Sequence, residues 1–507
     1  MTSGITAKTN EAAMLGESLQ ASALDSAIAR SVEALLSLQH RDGYWVFELE
    51  ADATIPAEYI LLQHYLGTID TDLEQRIARY LRAVQGPDGG WPLFFGGATD
   101  LNATVKAYFA LKAVGDPLDA AHMQRARAAI LARGGARNCN VFTRIMLALW
   151  GEVPWRAVPV MPVEIMLLPR WSLFHVDKVS YWSRTVLVPL LVLMAVRPRP
   201  RNPRGIRIAE LFVEPPEAVR DWISPPTRSV VGYGFVALDW LLRAVQPIFP
   251  AAARRRAIGK AVGFVTERLN GEDGLGGIFP AMANALMMYD CLGYKPEHPY
   301  RVSAEAALRK LVVEEGERAY CQPCVSPVWD TALACHALME VGDETLLPAV
   351  RDGLDWLRDK QVLDTAGDWA AVRPGLRPGG WAFQYGNPHY PDLDDTAAVA
   401  LALDRFDSER YRHSIDRAAE WVIGMQSRNG GWGSFDADNT HYYLNHIPFA
   451  DHGALLDPPT ADVSARCLGF LAQLGKHPED SAVTAGLPTS PAAISASNAQ
   501  AVCEAVL

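Results

Sequence analysis

Gln39-His40-Arg41-Asp42-Gly43-Tyr44-Trp45, Gln85-Gly86-Pro87-Asp88-Gly89-Gly90-Trp91 and Gln426-Ser427-Arg428-Asn429-Gly430-Gly431-Trp432 repeat one spacing: glutamine, three residues, glycine, one residue, tryptophan. A looser copy runs from Gln361 to Gly367 and Trp369 with two extra residues, and Gly274 to Gly277 marks a fifth turn that has lost the glutamine and the tryptophan. Each part suits a helix end. The glutamine amide bonds free backbone groups, glycine permits a tight turn, and the indole covers the junction with the next helix. Between these turns apolar residues recur at helical spacing in 27–38, 73–84, 105–114, 141–150 and 396–403, and no convincing alternating strand appears. Asp25, Asp70 or Thr71, and Asn102 are the candidate caps, with Gly115 and Gly151 as stops. Helix pairs joined in this way predict an all-α chain that closes into α/α rings.

The 507 residues, 49 % of them hydrophobic, allow two to four domains of about 150 residues each. Lys and Arg number 47 against 58 Asp and Glu, a net charge of −11 with no basic stripe, so no nucleic-acid partner is expected. The seven cysteines are scattered and odd in number, which suits a reducing cytoplasm better than a disulfide framework. Cys321-Gln-Pro-Cys324, with Cys335 and His336 nearby, reads as core thiols rather than a zinc set. The first twenty residues lack the basic start and apolar stretch of a signal peptide. The longest apolar run, 186–196, falls short of the roughly 20 residues that span a bilayer. From His477 onward the chain is small, polar and aperiodic, and disorder is expected there.

The densest acidic group is Pro391-Asp392-Leu393-Asp394-Asp395-Thr396, between a proline-rich loop and the apolar helix beginning near Thr396. Acids at a helix start satisfy free N–H groups and complement the dipole, which accounts for one or two of the three. Trp381, Phe383, Tyr385 and Tyr390 surround them in sequence, and a third carboxylate in such a setting suggests a pocket that keeps one carboxyl protonated at neutral pH. On the residues alone, metal binding, capping and acid catalysis stand level. No DDxxD occurs, and 392–395 lacks the glycine and later glutamate of a calcium loop, so no magnesium or calcium is assigned.

With these motifs together, the sequence resembles the squalene-hopene cyclases, members of the class II terpene cyclases. The resemblance rests on Asp392-Leu-Asp-Asp395 as the DxDD acid motif, the glutamine-tryptophan repeats, Ser326-Pro-Val-Trp-Asp-Thr331, Gly367-Asp-Trp369, Asn445-His-Ile-Pro-Phe449 and Asp457-Pro-Pro459, and runs from about Ala27 to about Gly475. It implies two α/α toroids: an N-terminal stretch 1–48 that begins disordered and adds a helix to the first, an inserted toroid over 49–324, the acid-bearing toroid over 325–476, and a disordered tail over 477–507. It implies that squalene, or a related isoprenoid, is cyclised to hopene, or to hopanol where water captures the final cation, with no metal or redox cofactor. Asp394 would protonate the terminal alkene, Asp392 and Asp395 would orient the proton, and a cationic His446 would hydrogen-bond a neighbouring carboxylate. Trp182, Trp329 and Phe383 would line the cavity, and Glu58 and Pro280 match positions near it, although on composition alone each aromatic is a core residue.

The resemblance further implies peripheral, monotopic contact with the inner face of the cell membrane, and a homodimer. For the membrane surface the candidate is 229–249, where Phe235, Leu238, Leu241, Leu242 and Val245 share a helical face, Val236 and Trp240 widen it, and Asp239 with Arg243 leave a narrow polar strip. Family members continue well beyond the Asp-Pro-Pro region, so the acid-bearing toroid is expected to be incomplete, with an apolar face uncovered. Lys106 stands where some members have an acid, and Tyr442 where some have an aspartate. Two other readings stay open: a class II cyclase of another isoprenoid, and an inactive toroid that binds isoprenoid or membrane. An epoxide-opening cyclase fits less well, because that group's acid motif resembles Asp-Cys-Thr-Ala.

Overall fold

The computed structural model describes residues 22–450, 453, 455–476, 480 and 485. The disorder expected at the N-terminal start and over 477–507 falls, but for two isolated positions, outside the described residues.

The glutamine-tryptophan turns share one hydrogen-bond scheme. In the three regular copies the glutamine Nε2 donates to the glycine carbonyl four residues on, at 2.7 Å for Gln39 and Gln426 and 2.8 Å for Gln85. The indole Nε1 donates back to the carbonyl four residues before the glutamine: Trp45 to Leu35, Trp91 to Leu81 and Trp432 to Val422, at 2.8–2.9 Å. Gly43, Gly89 and Gly430 have φ of +96°, +87° and +91°, a left-handed turn that a side chain would strain. The tryptophan backbone N–H then donates to a hydroxyl on another helix: Thr331 for Trp45, Thr104 for Trp91 and Ser464 for Trp432. One indole therefore stitches two helices, and all of these tryptophans are fully buried.

The fourth copy departs from the expected spacing. Gln361 Nε2 donates not to Gly367 but to Gly379 O at 2.7 Å, Trp381 Nε1 donates to Leu357 O, and Trp381 N–H donates to Thr396 Oγ1. The loop carrying Gly367 and Trp369 is an insertion between the halves of this turn. Gly379 is required by close approach, since a Cβ there would lie 2.2 Å from Arg417 O. In the fifth turn Asn270 takes the glutamine's role and donates to Gly274 O at 3.3 Å.

The chain is all-α with α/α-toroid helix pairing, apart from two short antiparallel ribbons, Trp91–Pro92 with Thr99–Asp100 and Val312–Glu315 with Arg318–Cys321. The second ribbon alternates too briefly to register as a strand in the sequence. Thr71–Ala83 is capped by Asp70, whose side chain accepts from Leu73 N–H, and Leu101–Val114 is capped by Asp100 rather than Asn102. Asn102 instead accepts from Asn140 N–H. Asp25 caps nothing, because the first helix already spans 22–37.

Two main hydrophobic cores result. One is built from residues between Ala53 and Cys321 together with Leu444, Phe449, Ala450 and Leu455. The other is built from Trp45 and residues between Val328 and Leu471, with Val32, Leu35 and Leu36 of the first helix packed against it. The apolar run 186–196 belongs to a buried helix of the first core, Tyr181–Val196. The helix Val230–Val245 is inverted relative to an ordinary surface helix. Its buried members are Gly232 and Asp239, whereas Val230 is 91 % and Trp240 72 % exposed. Asp239 accepts from Val160 N–H at 2.6 Å and from Arg243, so the polar strip faces the protein. Phe235, Leu238 and Leu242, expected on the outer face, line a cavity of about 300 Å³ beneath the helix.

Candidate active site

The three acids occupy one of the repeat's own helix starts. Asp100-Leu101-Asn102-Ala103-Thr104 opens one helix and Asp392-Leu393-Asp394-Asp395-Thr396 opens Leu393–Asp407. Asp100 pairs with Trp91 and Asp392 with Trp381 in matching antiparallel bridges. Asp100 Oδ1 accepts from Ala103 N–H at 2.8 Å, and Asp392 Oδ1 from Asp395 N–H at 2.7 Å. Thr104 and Thr396 each donate to the carbonyl of their aspartate and accept from their tryptophan. Capping thus accounts for one oxygen of Asp392 and leaves its Oδ2 buried without a hydrogen-bond partner. Asp394 and Asp395 replace Asn102 and Ala103 and have no capping work to do.

Their environments differ. Asp392 and Asp395 are buried, and desolvation lifts Asp392 to about 7, against the opposing hydrogen bond from Asp395 N–H. Desolvation and the adjacent Asp392 charge hold Asp395 well above the ordinary carboxyl range, so this buried pair retains a proton at neutral pH. Asp394 is 31 % exposed, and Arg466 Nε donates to its Oδ1 at 2.6 Å. The Arg466 guanidinium lies 4.9 Å over the Trp329 ring. The turn therefore combines a buried carboxyl pair with one outer carboxyl that is paired with an arginine.

Sequence reasoning missed Arg466. It lies two residues beyond Ser464, the hydroxyl equivalent to Thr396, so the repeat register placed it beside the acids. His446, in contrast, is not at the carboxylates: its Nδ1 meets Thr227 Oγ1 at 2.6 Å and Ser229 Oγ at 3.4 Å. The cause is the path of the chain, since the neighbouring Leu444, Phe449 and Leu455 pack into the first core. The face of Trp329, expected to be open to the cavity, is covered by Arg466. Phe383 is half-buried in the loop after Trp381.

Trp182 belongs to an aromatic cluster beside the acids. It stands edge-on to Phe435 at 5.1 Å and next to Tyr181, which stacks on Tyr390 at 3.5 Å. Leu393 N–H donates to Ser434 O, tying this cluster to the acid turn. Asp457, of the Asp-Pro-Pro motif, shapes the loop from behind by accepting from the backbone N–H groups of Ser434, Phe435 and Asp436, and burial lifts its carboxyl to about 6. Glu58 and Pro280 lie elsewhere, in the wall of a largely apolar cavity of about 330 Å³ shared with Phe142, Trp150 and Phe279. There Glu58 accepts an ion pair from Lys106 Nζ at 2.7 Å.

The raised Asp392 pKa has a definite sign in stability. Its folded value, about 7, exceeds the roughly 4 of an unfolded aspartate, so the folded chain binds the extra proton. The stabilisation is fully present below about pH 4 and lost as pH rises through about 7. Melting curves should show the midpoint of the native chain falling relative to Asp392→Asn across that window, and a constant difference would contradict the burial argument.

Residues 28–317 match the family model described as the squalene-hopene cyclase N-terminal domain, and residues 325–488 match that of the C-terminal domain. The squalene–hopene cyclase of Bradyrhizobium diazoefficiens is 56 % identical over 459 residues, covering 89 % of this chain and 70 % of that protein. That of Zymomonas mobilis is 57 % identical over 465 residues, covering 88 % and 70 %. That of Alicyclobacillus acidocaldarius is 39 % identical over 473 residues, covering 91 % and 73 %. The chain spans about seven tenths of the length of these relatives. It belongs to the squalene-hopene cyclase family.

Proposed function

We propose that this chain cyclises squalene to hopene by protonating a terminal alkene from the acid turn. Asp394, protonated from the buried pair, gives its proton to the less substituted alkene carbon, and the π electrons form the new C–H bond. The neighbouring carbon is left cationic, the next alkene attacks it, and ring closures follow. The last cation gives up a proton to water to yield hopene, or bonds a water oxygen and passes the resulting oxonium proton to a second water to yield hopanol. Arg466 receives the Asp394 carboxylate left by the first step, and the buried Asp392 and Asp395 pair restores the proton. Stabilising the conjugate base is what makes a carboxylic acid strong enough for so weak a base as an alkene. Arg466 takes the part that the resemblance gave to His446.

The observation that carries this reading is the division of labour within one helical turn, a buried carboxyl pair that shares a proton at neutral pH behind one outer carboxyl paired with an arginine. The names and identities of the relatives supply the substrate class. Of the aromatic cluster beside the acid turn, Tyr181, Tyr390 and Phe435 are buried against one another and the half-buried Trp182 is the ring read as facing a developing cation, a contact contributing about 2 kcal/mol when desolvated. The two main cores are read as the two toroids, with the described part of 1–48 and 325–476 forming one and 49–324 the other, but for Leu444, Phe449, Ala450 and Leu455, which side with the latter. Among the described residues no helix is long and apolar enough to cross a membrane. The inverted helix Val230–Val245 is instead read as a surface that rests on one.

Incubation of the detergent-solubilised chain with squalene, followed by mass spectrometry of the extract, tests the reading. Pentacyclic product is expected. Absence of product from a chain with a helical far-UV spectrum would favour an isoprenoid-binding toroid, and conversion of a shorter isoprenoid alone would reassign the substrate.

A further inference from the structure

Arg184, on the helix Tyr181–Val196, is a deeply buried charge, its side chain 3 % exposed. Its Nη2 donates to Asp436 Oδ1 at 2.7 Å, its Nη1 donates to the carbonyls of Val179 and Asp177, and its Nε lies 3.6 Å from Asp368 Oδ2. Asp436 and Asp368 stand on two loops that flank the acid turn, so the arginine crosses between the two cores. Each aspartate also bonds one of the two stacked residues, Asp436 through the Tyr181 backbone and Asp368 through the Tyr390 ring hydroxyl. Asp436 Oδ2 accepts from Tyr181 N–H at 3.0 Å, and Asp368 Oδ2 accepts from the Tyr390 hydroxyl. Arg268 Nη2 donates to the remaining oxygen of Asp368 at 2.5 Å, and the network of two arginines and two aspartates balances its charge.

Burying so many charges is a costly way to gain stability, because well-packed apolar side chains would serve at least as well. What the ions supply is geometry. A guanidinium has fixed donor directions that a methyl group lacks. We infer that Arg184 is a positioning residue for the cyclisation: by bridging the two carboxylates that anchor Tyr181 and Tyr390, it sets the aromatic stack, and with it Trp182 and Phe435, against the acid turn. The inference rests on the reading under Proposed function. The stack supports the half-buried Trp182, which would face the cations, and a support displaced by about 1 Å would let cations lose their proton early.

The test uses Arg184→Lys, whose single ammonium reaches one carboxylate, and Tyr390→Phe, which frees one ring without touching an ion pair. Arg184→Gln is the severer variant, and the other two stand if it does not fold. With squalene, turnover per folded molecule should drop about tenfold to a hundredfold in Arg184→Lys. The fraction of incompletely cyclised product should rise about threefold or more, and less steeply in Tyr390→Phe. A merely structural role lowers yield in step with the folded fraction and leaves the product ratio alone, and wild-type ratios in both variants would overturn the inference. Should the native chain give no cyclised product, the functional reading falls, and near-UV circular dichroism decides the positioning claim. Arg184→Lys must then lose the tyrosine signal that Tyr390→Phe loses, and an unchanged spectrum refutes it.

Discussion

Asp394→Asn should lower squalene cyclisation by about a thousandfold or more while leaving the melting midpoint close to that of the native chain. The side chain is partly exposed and caps nothing, so its removal costs little packing, and only the ion pair with Arg466 is lost. An amide carries no transferable proton, and no other acid of the turn reaches the surface. Asp395→Asn should behave differently. It removes one member of the buried pair without removing the donor, so turnover falls less and the acid limb of the pH profile moves. Equal loss in both variants, with an unchanged pH profile in Asp395→Asn, would mean that the acids act as a single unit and that the buried pair is not separate from the donor.

The second large effect is on stability. Trp381→Ala should cost about 3–5 kcal/mol, the range for deleting a fully buried large aromatic. Two hydrogen bonds add to the loss of packing, since the indole N–H donates to Leu357 O and the cavity loosens the backbone N–H that donates to Thr396 Oγ1. Because Trp381 also bridges Asp392 through the backbone, the substitution should slacken the acid turn and lower turnover per folded molecule. Denaturant titration followed by intrinsic fluorescence measures the first effect. A cost below about 1 kcal/mol would show that this turn does not stitch its helices in the manner of the others.

Much of this was legible along the chain because it is local. Glutamine, glycine and tryptophan at fixed spacing specify a turn whose hydrogen bonds close within ten residues, and the three regular copies form as their spacing predicts. The fourth was misread for a physical reason. Gln361 meets its glycine across an inserted loop, and Gly367 with Trp369 mimics the pattern at nearly the right distance. Asp392, Asp394 and Asp395 were visible as a cluster, yet their separate roles depend on burial and on Arg466, which arrives from a helix some seventy residues away. His446 shows the converse. A motif match placed it by analogy, while packing of Leu444 and Phe449 on the other core decides where its ring lies. The helix Val230–Val245 was recognisable as amphipathic, but periodicity cannot tell which face turns outward, and Asp239 turns it inside out by accepting from Val160 N–H.

The central claim is that the reaction begins with a proton from a carboxyl in exchange with solvent. Cyclisation of squalene in deuterium oxide, with mass spectrometry of the product, tests it most directly. The native chain should give hopene carrying one non-exchangeable deuterium, at the carbon that the acid turn protonates, and Asp394→Asn should give no such product above background. Cyclised product without deuterium, or undiminished labelled product from Asp394→Asn, would contradict the account.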